Sequence, residues 1–382
     1  MTRPLTIAML GPGASPHVTR LAAALAARGH VLHVLSEDKF APFPAATGVA
    51  FYGIPSSLGF RGKAREVHTF LAQLRPDVLH SHAVNHGGYL GVASGFHPHV
   101  MTAWGSDILI APDRSARHRL LTRLALRAAD WVTSPAIALQ TRMSAIGGWL
   151  PHNDIVQWGI DLAHFSREPH KNAFRERYGI GTSFFALSPR ILQPLYNQDM
   201  MIEAWPAVLD AIPGALLGLV RYLPDPTYES KLRARAAELG VAESVRWLKP
   251  ASYDELPGMY RAADVVLSIP GSDGTPITVL EAMACEATVV ACDLPGLRDW
   301  IVDRGNGRLV DPRDAGSLAG AIVEAFRAEP DLRESMGKKA RQTISERADR
   351  EASLVRLEKI YRSAPGPAGF SQMRTLRNVL RF

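Results

Sequence analysis

Short apolar runs alternate along this chain with glycine- and proline-bearing turns and with stretches of helical, 3.6-residue periodicity. The chain opens with a strand pattern at residues 5–10, a glycine-rich turn, a helix at 16–28 stopped by Gly29, and a strand at 31–36, which together make a βαβ unit. Apolar runs at 49–54, 77–81, 100–103, 131–134 and 154–157 predict further strands, with helical stretches between most of them. The pattern restarts with a strand at 184–188, a helix at 199–211, a strand at 216–220 and a helix at 228–239. Strands at 245–248, 265–269 and 288–291 then alternate with helices at 253–262 and 276–285, the rhythm of a parallel sheet covered on both faces. Beyond a short strand at 308–310 the chain reads as helical to residue 363. It then passes through Pro365-Gly366-Pro367 into a basic tail.

A chain of 382 residues exceeds the usual size of one hydrophobic core, so the restart marks a second domain. The expected division is an N-terminal Rossmann-like domain at 1–165, a linker at 159–169 and a C-terminal Rossmann-like domain at 170–345. A helix at 346–363 returns to the first domain and 364–382 form the tail. The fold class is α/β, with two facing Rossmann-like domains and a cleft between them, because doubly wound sheets bind ligands at the carboxyl ends of their strands.

Composition narrows the classes. Hydrophobic residues at 47% and charged residues at 21% are those of a folded globular chain and exclude a disordered or fibrous one. No apolar run approaches the ~20 residues of a membrane span, and the first residues run straight into a strand without a separate cleavable signal, so a cytoplasmic location is expected. Cys285 and Cys292, the two cysteines, stand in apolar surroundings and suggest neither a disulfide framework nor a metal site. The net charge of +6 suits phosphorylated ligands, an anionic membrane surface or nucleic acid. The last has no accompanying zinc, helix-turn-helix or aromatic RNA-binding signature.

The most informative stretch is Ser268-Ile269-Pro270-Gly271-Ser272-Asp273-Gly274-Thr275-Pro276-Ile277-Thr278-Val279-Leu280-Glu281. Thr275 reads as the N-cap and Pro276 as the first helical residue, which leaves the amides of Ile277 and Thr278 directed at the Gly274 loop, where they attract phosphate. Glu281 lies one turn on, at the border of the buried face, and needs a partner. A ribose cis-diol suits it, because a carboxylate accepts two hydrogen bonds. Asp273 can do the same for sugar hydroxyls. Read without the rest of the chain, both acids serve equally well as a helix cap paired with an arginine.

These residues resemble the retaining glycosyltransferases of family 4, which have the GT-B architecture, and the resemblance covers nearly the whole chain. It implies that Glu281 binds the nucleotide ribose and Asp273, where the family more often has Glu, contacts the donor sugar. Glu286 stands where the family has Gly, at a helix end that favours positive φ. Residues 293–301 and Gly305-Asn306-Gly307 extend the similarity. Arg190, after the strand at 184–188, is suited to clamp a pyrophosphate, with a surface salt bridge as its other reading. The family's lysine a few residues later is missing, and Tyr196 and Asn197 are the residues at hand to replace it. Backbone groups around Trp247-Leu248-Lys249 look like the base-binding segment, although Trp247 serves as well in a core.

In the first half, Gly11-Pro12-Gly13 leads into a helix capped by Ser15, and its backbone can approach an anion. The third glycine of a dinucleotide fingerprint is missing, yet Glu37 and Asp38 after the next strand keep an NAD(P)-dependent oxidoreductase as the alternative. The resemblance maps the family's histidine near donor sugar and acceptor onto His82, with His80 as a competitor on the same strand face. Asp107 suits an acceptor hydroxyl or the cap of the next helix.

The resemblance implies a hexosyltransferase that needs neither metal nor cofactor, with 1–165 as the acceptor-side domain, 170–345 as the nucleotide-sugar-binding domain and a nucleotide diphosphate sugar as donor, UDP before GDP. The acceptor is a glycan, lipid-linked or small-molecule hydroxyl. His82, Asp273 and Arg190 are the catalytic candidates. Gly11, Gly13, Arg190, Asn197, Leu248, Gly274, Thr275, Pro276, Ile277 and Glu281 are the donor-binding ones. A protein that binds nucleotide sugars without catalysis is a further reading. Two basic amphipathic stretches, 114–127 and 373–382, are either ordinary packed helices or peripheral contacts with anionic lipid.

Overall fold

The computed structural model describes residues 3–37, 48–167, 172–311, 313–365 and 369–370. The chain divides into two units, one formed by residues up to Trp158 together with those from Glu351 onward, the other by Gly159–Arg350. The division falls several residues before the expected boundary at 165, and the return begins at Glu351, later than residue 346. Both shifts have one cause. Ile160 pairs with Asp349, and Arg350 reaches Asp161 Oδ2 at 2.7 Å, so the start and end of the second unit are bound to each other.

In chain order the first unit contains β1 (Thr6–Leu10), α1 (Pro16–Ala27), β2 (Val31–Ser36), β3 (Val49–Gly53), α2 (Phe60–Leu74), β4 (Val78–His82) and α3 (Tyr89–Ser94). It continues through β5 (Phe96–His97), β6 (His99–Thr102), α4 (Ser106–Leu109), α5 (Ala116–Ala128), β7 (Trp131–Ser134), α6 (Ile137–Gly147) and β8 (Asn153–Ile155). Its parallel sheet runs β3-β2-β1-β4-β6-β7-β8. Period-two alternation is plain in β1, whose Ile7 and Met9 pack with Val18 and Leu25 of α1 while Ala8 and Leu10 pack with Val67 and Leu71 of α2. The strand β4 runs one residue beyond the predicted 77–81, which makes His82 its last residue.

The second unit contains α7 (Asn172–Arg177), β9 (Phe185–Ser188), α8 (Gln198–Ala211), β10 (Leu216–Val220), α9 (Pro226–Glu238), β11 (Val245–Leu248), α10 (Leu256–Ala262) and β12 (Val265–Ser268). After these come α11 (Ile277–Ala284), β13 (Val289–Cys292), α12 (Pro295–Arg298), β14 (Arg308–Val310), α13 (Ala315–Arg327) and α14 (Pro330–Arg347). Its sheet is parallel in the order β11-β10-β9-β12-β13-β14. The strands β9, β10, β12 and β13 are buried along their whole length, which is why they read as continuous apolar runs.

The last helix, α15 (Arg350–Ser363), buries Leu354, Leu357, Ile360 and Tyr361 in the same cluster as Ile7 and Met9. Its Glu358 accepts from Arg28 Nε at 2.7 Å and lies 3.0 Å from His30 Nε2, and β15 (Gly369–Phe370) pairs antiparallel with β5. Among the described residues no helix is long and apolar enough to cross a membrane. The basic stretch 373–382 and Asp38 lie outside the described residues.

Candidate functional site

Strand order reverses between β1 and β4 in the first sheet and between β9 and β12 in the second. These are the switch points where open α/β sheets bind ligands. Gly11 and His82 follow or end the strands at the first, and Arg190 and the loop before α11 follow those at the second.

In the second unit, α11 begins one residue later than the sequence pattern suggests. Pro276 is its N-cap, with φ −79° and ψ 88°, and no side chain caps it, so Thr275 is a buried loop residue rather than the cap. The correction has a local reason: the Pro276 carbonyl itself accepts from the amides of Val279 at 2.9 Å and Leu280 at 3.1 Å. The amides of Ile277 and Thr278 donate to no group among the described residues, as the first amides of a helix do.

Arg190 is drawn into this loop. Its Nη2 donates to Asp273 Oδ2 at 2.6 Å, its Nη1 donates to Thr278 Oγ1 at 2.9 Å, and its guanidinium lies 4.4 Å from the Tyr196 ring centroid. Burial opposes the charge, and Asp273 more than offsets it, so the Arg190 pKa is raised. The pair is therefore neither an exposed salt bridge nor a cap: a nearly buried cation is held against the helix start. A guanidinium has five N–H donors, so these two bonds do not exhaust it. Asn197 adopts the left-handed conformation at φ 49° and forms the N-cap of α8 through its backbone. Gly271 N donates to Leu195 O at 2.8 Å, tying the two loops together.

Glu281 is buried on α11 and accepts from Tyr260 Oη at 2.7 Å, a partner that the sequence pattern did not indicate. Leu248 ends β11 with its side chain buried, and its carbonyl accepts from Arg221 N at 2.9 Å. Trp247 is half-buried beneath Arg233, whose guanidinium carbon is 4.1 Å from the ring centroid. Gly274 sits against α12: a Cβ added to Gly296 would meet Gly274 O at 2.6 Å and Asp273 O at 2.8 Å. Only glycine lets α12 approach the loop this closely.

In the first unit, the glycine turn has a different use from the one expected. The Gly11 amide donates to Leu35 O at 3.2 Å and the Gly13 amide to Ser36 Oγ at 2.8 Å. A Cβ at Gly11 would lie 2.8 Å from His82 Cβ, so this position serves close packing against β4. Ser15 caps α1 as predicted, accepting from His17 N at 3.3 Å.

The two candidate histidines of β4 separate cleanly. His80 is bonded on both nitrogens, Nδ1 to Tyr361 Oη and Nε2 to Thr102 Oγ1, each at 2.7 Å. His82, with its ring centroid 4.1 Å from that of His80, is fully buried, and neither ring nitrogen has a hydrogen-bond partner among the described residues. Burial, assisted by His17, lowers its pKa to about 3, so it is a neutral imidazole at physiological pH. Ala83, next in the chain, takes φ 61° and starts a π-helical turn over Ala83–Gly88. Asp107 caps the adjoining loop: it accepts from Val84 N at 2.8 Å and Gly105 N at 2.7 Å, which commits both of its oxygens to backbone.

Two family matches bear on this geometry. Residues 170–343 match the family described as glycosyl transferases group 1, and residues 6–135 match the glycosyl transferase 4-like family. Both matches are to glycosyltransferase families, and between them they span most of the chain. The group 1 segment contains Arg190, Asn197, Leu248, Asp273 and Glu281, and the 4-like segment contains Gly11, Gly13 and His82.

The chain is 31% identical over 218 residues, 55% of its length and 56% of the relative's, to the GDP-mannose-dependent alpha-(1-6)-phosphatidylinositol monomannoside mannosyltransferase of Mycolicibacterium smegmatis. It is 35% identical over 182 residues to the D-inositol 3-phosphate glycosyltransferase of the same species, covering 46% of the chain and 40% of that relative. The aligned stretches thus span about half the length of these relatives. Among solved structures, Anabaena Alr3699/HepE in complex with UDP and glucose superposes with a TM-score of 0.82 at 20% identity, over 94% of this chain and all of that one. WaaG, a glycosyltransferase involved in lipopolysaccharide biosynthesis, gives 0.75 at 18%, again over 94% of this chain and all of WaaG. The fold of the chain is therefore GT-B.

Proposed function

We propose that this chain is a retaining glycosyltransferase that moves a hexosyl group from a nucleoside diphosphate sugar to a hydroxyl of a glycan, lipid-linked or small-molecule acceptor. The observation that carries the reading is the grouping at the start of α11. The amides of Ile277 and Thr278, which donate to no group among the described residues, and the Glu281 carboxylate stand on α11, and the buried Arg190 guanidinium reaches their loop from the segment after β9. Amides and guanidinium suit a diphosphate, and a carboxylate one turn along the helix suits the two ribose hydroxyls beyond it. A hydride-transfer enzyme has no use for this grouping, and the Gly11 and Gly13 amides that a dinucleotide would need are committed to Leu35 and Ser36.

In the proposed reaction the bond from the sugar's anomeric carbon to the β-phosphate oxygen breaks. The departing phosphate takes the proton of the acceptor hydroxyl, and that oxygen bonds to the same face of the sugar. Arg190 and the helix-start amides stabilise the charge that develops on the diphosphate. Asp273 orients the sugar hydroxyls. His82, neutral and without a hydrogen-bond partner among the described residues, has one donor and one acceptor nitrogen to offer a hydroxyl. The base is uracil or guanine; the relative named for GDP-mannose puts GDP donors beside UDP donors in the screen.

The test is a thermal-shift screen of UDP- and GDP-hexoses followed by a donor hydrolysis assay. At least one donor is expected to raise Tm and to release its nucleoside diphosphate. Binding without any hydrolysis or transfer identifies a catalytically inactive binder, and stabilisation by no nucleotide sugar at millimolar concentration contradicts the proposal.

A further inference from the structure

Glu281 is held by a second buried side chain. Tyr260, in α10, donates its hydroxyl to Glu281 Oε2 at 2.7 Å. The two helices flank β12, α10 leading into the strand and α11 following it, and they pack together. Helix α10 buries Pro257, Met259, Tyr260 and Ala262, so its packing carries the phenol inward. Tyr260 has no exposed surface and Glu281 is 3% exposed. Any effect of the phenol on a ligand therefore passes through the carboxylate.

The phenol ring is itself fixed. Phe165, also buried, has its ring centroid 6.2 Å away, and Tyr253 meets Phe165 edge-on at 5.7 Å. Arg341 of α14 donates to the carbonyls of Phe165 at 2.7 Å and Leu162 at 3.0 Å, and also to that of Ala284, the last residue of α11. Arg261, next to Tyr260, donates to Ser166 O at 2.8 Å. Residues 162–166 are thus tied both to α10 and to the end of α11. The hydroxyl that holds Glu281 and the helix that carries Glu281 are anchored to one segment.

We propose that Tyr260 is a positioning residue for the donor: its hydroxyl turns the Glu281 carboxylate to accept both ribose hydroxyls, and so sets the discrimination between ribonucleotide and 2′-deoxyribonucleotide. The inference rests on the glycosyltransferase reading. A glutamate side chain left to rotate loses conformational freedom when a ligand orders it, and a hydrogen bond made in advance removes that cost. A tyrosine hydroxyl makes the bond without neutralising the carboxylate, as an arginine in its place would. A carboxylate has about four acceptor positions, so one bond to Oε2 does not exhaust it. The bond also sets which way the carboxylate plane faces. Two hydroxyls on neighbouring carbons reach both oxygens together only when that plane lies along them.

The experiment is calorimetry on full-length wild type and Tyr260→Phe with UDP, GDP and their 2′-deoxy counterparts. In the wild type, loss of a hydroxyl that donates to a charged group is expected to weaken binding about tenfold or more. In Tyr260→Phe the ribonucleotide should bind about fivefold more weakly and the deoxynucleotide within about twofold of its wild-type affinity, so that the discrimination collapses. With the UDP- or GDP-hexose of the same base, the donor KM should rise while kcat stays within about twofold. Should Tyr260→Phe fail to fold, the same change is made in the Glu281→Gln background, where the buried charge is gone. There the ratio of ribonucleotide to deoxynucleotide affinity should not change further.

A merely structural role for Tyr260 weakens both nucleotides by the same factor and leaves their ratio unchanged, and that result overturns the proposal. Unchanged affinities in Tyr260→Phe overturn it as well, as does a further fall in the ratio when the hydroxyl is removed in the Glu281→Gln background, since Tyr260 would then act independently of Glu281. A wild type that binds UDP or GDP without discriminating against the deoxynucleotide removes the ribose from Glu281 and the positioning role with it. Wild-type protein that binds neither nucleotide refutes the glycosyltransferase reading itself.

Discussion

Arg190 and Asp273 hold each other, Nη2 to Oδ2, at 2.6 Å, with side chains only 10% and 12% exposed. A pair so little exposed is strongly destabilised when one partner is removed, because the other charge stays buried without compensation. Asp273→Ala is therefore expected to cost about 3 kcal/mol or more. The double variant Arg190→Met with Asp273→Ala should cost less than the sum of the two single changes. A denaturant double-mutant cycle measures this, and additive losses would show that the two charges are not coupled.

Gly296 sets the shape of the same loop from below. Its substitution by alanine brings a Cβ to 2.6 Å from Gly274 O, and backbone on both sides has to move. The expected result is a stability loss of about 1–3 kcal/mol, as for other overpacked sites, together with at least tenfold weaker binding of nucleotide diphosphate. Calorimetry that finds wild-type affinity in Gly296→Ala would show that the loop tolerates the shift and does not shape the site.

The buried histidines make the first unit sensitive to acid. Burial lowers His82 and His99 to about 3 and His80 well below its ordinary value. Between pH 6.5 and 3 these rings stay neutral in the fold but bind protons in the unfolded chain, so stability falls as pH falls through that window. Each contributes a slope on the order of 1 kcal/mol per pH unit. Melting curves from pH 7 to pH 5, above most carboxylate titrations, should show a steady decline in Tm that His99→Gln makes shallower. A flat profile over that range contradicts the burial of these groups.

The helix α5 leaves Arg117, Arg119, Arg123 and Arg127 exposed, with Leu120 among them at 52%. If the acceptor is lipid-linked, this face is the part of the described chain suited to an anionic bilayer. Co-sedimentation with vesicles of mixed phosphatidylglycerol and phosphatidylcholine is expected to pellet the wild type. Replacing Arg117, Arg119 and Arg123 by glutamine should return most of it to the supernatant. Equal pelleting of both proteins removes α5 from this role.

Much of this was legible in the chain itself. The strands β9, β10, β12 and β13 are buried on both faces and so appear as unbroken apolar runs. Glu286 was expected at a helix end that favours positive φ, and it takes φ 59°. The relationships that were not legible are long-range. Arg190 and Asp273 lie 83 residues apart, Glu281 and Tyr260 lie 21 apart, and neither spacing carries a periodic signal. Thr275 has the chemistry of an N-cap, but the Pro276 carbonyl accepts the first intrahelical bonds, from Val279 and Leu280, and Pro276 takes the capping position instead. Ile160 and Asp349 pair across the sequence, a contact that no linker composition announces.

Glu281 is the residue on which the donor assignment turns. Glu281→Gln keeps the shape of the side chain and an oxygen for the Tyr260 hydroxyl, so the fold is retained while the charge that accepts two ribose hydroxyls is lost. Isothermal titration of UDP and GDP into wild type and Glu281→Gln is the most direct measurement. The account predicts that the nucleotide bound by the wild type binds the variant at least tenfold more weakly, with unchanged thermal stability in the absence of ligand. Equal affinity in the two proteins would contradict it.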